Sequence, residues 1–313
     1  MNGVLIVDKP QGFTSFDVVA LMRGLCHERK IGHTGTLDPM ATGVLPLLLG
    51  TATRALPLLE DTGKEYEAGF RFGFATDTQD TTGRTVAESD ARASRASLES
   101  VLPRFRGEIF QTPPMYSALS VGGRRLYDLA RQGVEVERAA RPVTVFRLEL
   151  LSFEEETQSG RLLVGCSKGT YVRTLCSDLG AALGTCGVMS SLRRTRASGF
   201  TLGDAAAVEE LRGLSAAGRI GGRLLPTESL FARLPGVAVT AAQSVRFANG
   251  GALDLMRTDL RERNPAQGAR FRVHSPEGTF LGLGEAREGE LKVLRLFAAC
   301  RRGQSPPFGP EKK

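Results

Sequence analysis

Gly32-His33-Thr34-Gly35-Thr36-Leu37-Asp38-Pro39-Met40-Ala41-Thr42-Gly43 is the stretch around which the chain is organised. Its three glycines give backbone freedom where a side chain would forbid close approach or a positive φ. One carboxylate, Asp38, stands among them, and Pro39, which has no amide hydrogen, holds the residue before it extended. The segment reads as a shaped loop that presents an acid.

Upstream, the apolar run Val4-Leu5-Ile6-Val7 predicts a strand that ends in the turn Lys9-Pro10-Gln11-Gly12. Thr14 or Ser15 then caps a helix whose apolar residues Phe16, Val19, Met22, Leu25 and Cys26 recur at helical spacing. Downstream, Val44 to Leu49 is a buried apolar run, and Thr51 to Asp61 reads as a helix with Leu56 and Leu59 inward. Lys64 to Phe74 alternates cleanly. Tyr66, Ala68, Phe70, Phe72 and Phe74 share one face, with Glu65, Glu67 and Arg71 on the other, which predicts a half-buried strand.

Thr76 to Arg92 is polar and loop-like, and Ser97 to Phe105 fits a short helix, after which Gln111-Thr112-Pro113-Pro114 breaks the pattern. Met115 to Arg138 is a basic, hairpin-like excursion with a short helix, Leu126 to Gln132, closed by Gly133; it is either a clamp on nucleic acid or a solvated insertion. Val143 to Phe153 and Arg161 to Ser167 read as paired strands. Lys168-Gly169-Thr170 opens a helix with Thr170 as cap, placing Tyr171 and Arg173 in its first turn. Met189 to Phe200 is a strand or loop that carries Arg193, Arg194 and Arg196, and Asp204 to Leu211 is a helix. Pro226 to Leu234 closes a large domain, residues 1–235. Beyond it, short strand-like pieces at Val237–Val239, Arg270–His274, Thr279–Leu283 and Leu291–Phe297 predict a small β-rich domain over residues 236–300. The basic, Pro-rich tail 301–313 is expected to be disordered.

The 313 residues are enough for one large domain and a small one, and 41% hydrophobic and 24% charged residues describe a globular chain. No apolar run approaches a membrane span, and Asp8 and Lys9 come too early for a signal peptide, so the chain is expected in the cytoplasm. Five cysteines without Cys-x-x-Cys or His pairing read as reduced thiols, not as a metal site. A net charge of +7 favours an anionic partner. Of the 41 basic residues 34 are arginine, a skew that suits bidentate phosphate contacts but is equally explained by a genome-wide compositional bias.

Six motifs now stand in order. They are Val7-Asp8-Lys9-Pro10-Gln11-Gly12, the Gly32–Gly43 loop, Lys64-x-Tyr66, Gln111-x-Pro113-Pro114-x-Tyr116-Ser117-Ala118, Ser167-Lys168-Gly169-Thr170-Tyr171-Val172-Arg173 and Leu192-Arg193-Arg194-Thr195. Across residues 2 to 230 the chain resembles the TruB family of bacterial pseudouridine synthases. The resemblance implies an α+β pseudouridine synthase fold, with a mixed, mainly antiparallel central sheet flanked by helices and loops. The β-rich region from 236 resembles the PUA-type RNA-binding module.

The implied activity is isomerisation of uridine 55 in the T loop of tRNA. The N1–C1′ bond breaks, the uracil turns within the site and C5 joins C1′. No cofactor or metal is called for, and the expected substrate is the tRNA T stem-loop, without guide RNA or membrane, acted on by a monomer. By resemblance Asp38 is the essential carboxylate, as nucleophile at C1′ or as base at the 2′ proton, and Arg173 is its ionic partner. Tyr66 stacks on the flipped base and serves in proton removal from C5, Tyr171 is a second wall, and Leu192 contacts the uracil. His33 enters the space the base leaves. Lys9, Lys64, Arg193, Arg194 and Arg196 are expected on phosphates. Two other readings use the same residues: a non-catalytic RNA-binding factor, and an isomerase directed by guide RNA.

Overall fold

The computed structural model describes residues 1–60, 63–117 and 119–297, so the expectation of a disordered tail at 301–313 lies outside the described residues. The chain divides into two units. The first comprises Met1, Leu5–Leu49 and Glu60–Leu224, the second Asn2–Val4, Gly50–Leu59 and the chain from Leu225 on. This differs from a single cut at 235. Val4 and Leu225 exchange two backbone hydrogen bonds of 2.8 Å, and the Asn2 side chain accepts from the Thr51 amide, so three distant stretches group together.

The large unit runs from β1 (Gly3–Lys9) through α1 (Ser15–Leu25) to the short β2 (Ile31–His33) and β3 (Thr42–Leu49). After β4 (Lys64–Phe72) come the paired β5 (Phe74–Thr76) and β6 (Thr85–Glu88), α2 (Arg95–Val101) and β7 (Gly107–Gln111). The excursion forms a small hairpin of β8 (Ser120–Val121) and β9 (Arg124–Arg125), then α3 (Leu126–Arg131). Long β10 (Arg141–Glu154), β11 (Ser159–Cys166), α4 (Val172–Ala182) and β12 (Gly187–Ala197) lead to β13 (Phe200–Thr201), β14 (Ala206–Ala207) and α5 (Val208–Ala216).

Ten strands form one sheet in the order β14-β1-β3-β12-β4-β11-β10-β7, with β2 beside β3 and β13 beside β12. The β1–β14 and β3–β12 pairs are parallel, and the pairs from β12 through β4, β11 and β10 to β7 are antiparallel. The expected mixed, mainly antiparallel sheet is therefore present. One core gathers Phe70, Phe72, Leu98, Leu148, Leu162, Leu175 and Leu179 around α2 and α4. A second gathers Val18, Val19, Met22, Leu45, Leu47 and Leu211 around α1 and α5. The alternation of β4 is realised, because Tyr66, Ala68, Phe70 and Phe72 are all buried. Its far end is shorter than expected. Gly73, at φ +101°, turns the chain so that Phe74 opens β5 instead.

Helix starts obey the expected caps only in part. Thr14 caps α1 in a box with Asp17, but Phe16 is 64% exposed beneath the Arg23 guanidinium, and Val18 takes the inward position expected of it. Thr170 is not the cap of α4; Tyr171 holds that position without a side-chain bond. The expected helix from Asp204 begins only at Val208, because Asp204 instead accepts from the Thr201 amide and hydroxyl to close a separate turn.

The small unit contains the 3-10 helix Gly50–Leu58, where an α-helix over Thr51–Asp61 was expected. Ala52 and Ala55, three apart, are buried, which suits the tighter period, and Pro57 lies inside. A five-stranded sheet completes the unit, built from β15 (Gly236–Ala238), β16 (Leu253–Asp254), β17 (Arg270–His274), β18 (Phe280–Arg287) and β19 (Glu290–Leu296), ordered β15-β17-β18-β19-β16. The β-rich reading holds. A helix, α6 (Ala241–Ala248), was missed, although Thr240 and Gln243 form the capping box that announces it.

Gly43 locks β3 to β12. Its φ of +104° is one that L side chains rarely adopt, and a Cβ there would lie 2.2 Å from the Arg194 carbonyl oxygen across the parallel pair. Gly43→Ala should therefore destabilise the large unit by roughly 2 kcal/mol or more, read as a lower urea midpoint. An unchanged midpoint would refute the close approach.

Candidate active site

The loop between β2 and β3 is fastened from beneath. Leu37 is buried, and Ser15 Oγ both accepts from its amide (2.8 Å) and donates to its carbonyl (3.3 Å). Lys9, fully buried, donates to the carbonyls of Pro10, Phe13 and Pro39, and burial pushes its ammonium down to about 8. Arg194, also fully buried, donates to Val44 (2.7 Å), Gly35 (3.1 Å) and Thr36 (3.3 Å). Both residues were expected on phosphates. Neither is placed for that role, since their donors are turned inward onto backbone oxygens and no surface remains for RNA.

With Leu37 and Pro39 pinned on either side, Asp38 is presented to a cavity of about 260 Å³. The cavity lining brings together Asp38, Lys64, Tyr66, Tyr171, Arg173 and Leu192, with Ser117 from the root of the excursion. Arg173, in the first turn of α4, places Nε 3.2 Å from Asp38. Its other nitrogens are occupied as well. Nη1 donates to the Thr78 carbonyl (3.0 Å) and lies 3.6 Å from Asp80, while Nη2 donates to the Tyr116 carbonyl (2.9 Å). The guanidinium is thus fixed in a fork that leaves one edge for Asp38.

Asp80 is the residue that reading the sequence missed. It lies in a polar loop whose composition suggests solvent, yet it is buried, and Thr78 Oγ1, Thr82 N and Thr82 Oγ1 all donate to its Oδ1. The only trace in the sequence is two threonines spaced two residues either side of an aspartate, a pattern that local turns also produce. Burial raises the pKa of Asp38; Arg173 opposes the rise and Asp80 adds to it.

The aromatic walls differ. Tyr66 is buried in β4, which pushes its phenol up to about 12, with the Arg194 guanidinium offsetting part of the rise. Tyr171 is half-buried, and its backbone is gripped by Gln111, which accepts from its amide (3.0 Å) and donates to its carbonyl (3.2 Å). Two other expected residues stand apart from the cavity. His33, on β2, has a buried Nδ1 without a hydrogen-bond partner, and burial lowers its pKa. Arg193 alternates away from Leu192 and forks onto Asp8 at 2.8 and 3.2 Å. Arg196 is exposed. No group of three His, Cys, Asp or Glu residues suited to a metal ion occurs among the described residues.

A model described as the TruB family pseudouridylate synthase N-terminal domain matches residues 23–172. A tRNA pseudouridylate synthase B C-terminal domain model matches 173–232, and a pseudouridine synthase II TruB C-terminal model 235–297. The tRNA pseudouridine synthase B of Azoarcus sp. (strain BH72) is 45% identical over 298 residues, covering 95% of each chain. That of Pseudomonas fluorescens (strain Pf0-1) is 42% identical over 301 residues, 95% of this chain and 96% of the relative. Among solved structures, a chain from a Cbf5-Nop10-Gar1 complex superposes with a TM-score of 0.70 at 26% identity, covering 95% of this chain and 84% of that one.

Arg173→Gln removes the cation that opposes the raised pKa of Asp38 while leaving Asp80 in place. The Asp38 carboxyl should then titrate at a still higher pH than in the unaltered protein, monitored by carbon NMR of labelled aspartate. A titration that stays put or moves to lower pH would show that Arg173 does not carry this charge.

Proposed function

The chain belongs to the TruB family of pseudouridylate synthases, and from that premise we propose that it isomerises uridine 55 in the T loop of tRNA, with Asp38 as the reacting carboxylate. The observation that carries the assignment of Asp38 is its position beside a fixed guanidinium in a cavity walled by two tyrosines and a leucine. A uracil stacked in a folded loop hides C1′ and C5, so the nucleotide must swing out before a side chain reaches either. Tyr66 and Tyr171 offer the replacement stack, and Leu192 an apolar edge.

The reaction exchanges one glycosidic bond for another within a nucleotide. N1 leaves C1′, C5 takes its place, the C5 proton is lost and N1 ends protonated, so the atom count is unchanged. A single ionised carboxylate serves either route to bond cleavage, by attack on C1′ or by removal of the 2′ proton. Arg173 keeps that carboxylate charged and aimed. Tyr66, protonated at neutral pH, acts chiefly as a wall in the resting enzyme. The basic balance of the chain suits an RNA substrate, and free tRNA is taken without guide RNA or protein partner.

Asp38→Asn should bind a T stem-loop transcript as the wild type does and form pseudouridine at least ~10³-fold more slowly, with no other component added. Because burial raises the pKa of Asp38 above its unfolded value, ionising it opposes folding. The variant should therefore melt no lower than wild type at pH 7, and any gain should fade as the pH falls below roughly 4. Full activity of Asp38→Asn would remove Asp38 from the reaction. A wild type that binds the transcript but leaves its uridine intact would instead favour a binding factor, and one that needs a guide RNA would favour the directed isomerase.

A further inference from the structure

We propose that a second recess beside the catalytic cavity holds one backbone phosphate of a nucleotide that flanks the target uridine; this rests on the reading of the substrate as RNA. The recess measures about 180 Å³ and shares Gly169 and Tyr171 with the cavity. Its remaining walls include Arg141, Lys168, Gln111, Pro113 and Pro142, and no carboxylate lines it.

Its geometry is built rather than incidental. Thr144 of β10 and Ser167 are joined both ways, amide to hydroxyl at 2.9 Å and amide to carbonyl at 2.8 Å. That stitch brings the Lys168–Gly169 turn beside Arg141 at the start of β10. Gln111, facing Arg141 across the β7–β10 register, grips the backbone of Tyr171. Three elements are thereby tied around one concave basic spot whose fourth side is the wall of the catalytic cavity.

The charge environment of Arg141 supports the same reading. On the same sheet Arg147, Arg161 and Arg193 each have a carboxylate oxygen within 4 Å. Arg141 is exposed and forms no ion pair among the described residues. A guanidinium without a counter-ion, set against proline walls and next to a second cation, presents a field that a phosphodiester neutralises with paired N–H donors. With a base in the cavity, the chain leaves past Tyr171, and the linkage on that side lies over the recess. The recess therefore sets the register of the strand, whereas the cavity accepts the base.

The test is a double-mutant cycle between Arg141→Gln and a T stem-loop carrying one neutral methylphosphonate, placed in turn at the linkage 5′ or 3′ of the target uridine. Binding is read by fluorescence anisotropy, with pseudouridine formation measured alongside. On unmodified RNA, Arg141→Gln should weaken binding roughly fivefold to tenfold and reduce the salt slope by about 1. One of the two methylphosphonates should weaken wild type by a similar factor, yet change the variant less than about twofold. Additive losses at both linkages, or unaltered binding by Arg141→Gln with its melting temperature intact, would overturn the proposal. Coupled losses with no pseudouridine from wild type would sink the catalytic reading and leave the recess standing. Normal turnover with additive losses would sink the recess alone.

Discussion

A carboxylate facing a confined cavity stays ionised only while a cation is held against it, and the arrangement around Arg173 meets that condition. One guanidinium, nearly buried, sits between Asp38 and Asp80 and donates to two backbone carbonyls. The two carboxylates are not equivalent. Asp80 is closed off and saturated by threonine donors, so its charge anchors the guanidinium, whereas Asp38 keeps 38% of its side chain open toward the cavity. Anchor and cavity-facing carboxylate thus share a cation, and each carboxylate sets the electrostatic problem that the other must tolerate. An ion pair of this kind is a poor source of stability, because desolvation offsets most of the attraction. Its value lies in fixing where one oxygen pair points.

The loop that bears Asp38 is held by the same logic with the signs reversed. Lys9 and Arg194 carry positive charges into the interior and donate to carbonyls of the loop and of its flanks, and Arg194 also reaches the Tyr66 phenol. A Gly-rich segment has many accessible conformations, and water would compete for its carbonyls in the open. Two buried cations remove that freedom, because any other loop conformation strands a charge in a site without water. Gly35 fits this design. A Cβ at that position would sit 3.3 Å from Lys64 Cε and 3.6 Å from Arg194 Nη1, between a cavity-lining side chain and the clamp below.

Much of this was legible in the sequence where a period or a cap spoke. The alternation of Tyr66 to Phe72, the paired strands that became β10 and β11, and the Thr14 cap all obey local rules, and Asp38, Tyr66, Tyr171, Arg173 and Leu192 line one cavity. What escaped was the burial of charge. Lys9, Asp80 and Arg194 sit in stretches whose polarity suggests surface, and only the fold shows that Lys9 and Arg194 turn onto backbone carbonyls of the loop and that Asp80 meets the Arg173 guanidinium. Phe16 failed in the opposite sense. Helical spacing admits it to the inward stripe, but Val18 and Val19 fill that side and leave the ring to an arginine. Local pattern thus identifies which residues matter more readily than which way they face.

The same distinction governs the meaning of the net charge. Across the open face of the large sheet, Arg147 meets Glu65 and Glu149, Arg161 meets Glu67, and Arg193 meets Asp8. These pairs are largely solvent-exposed and contribute little to stability, but each cancels a basic residue locally. A face so balanced has weak attraction for a polyanion, whatever the overall charge of the chain. The field that remains for an anion comes from cations without such partners, and Arg141, in the recess beside the cavity that Asp38 faces, is one of them.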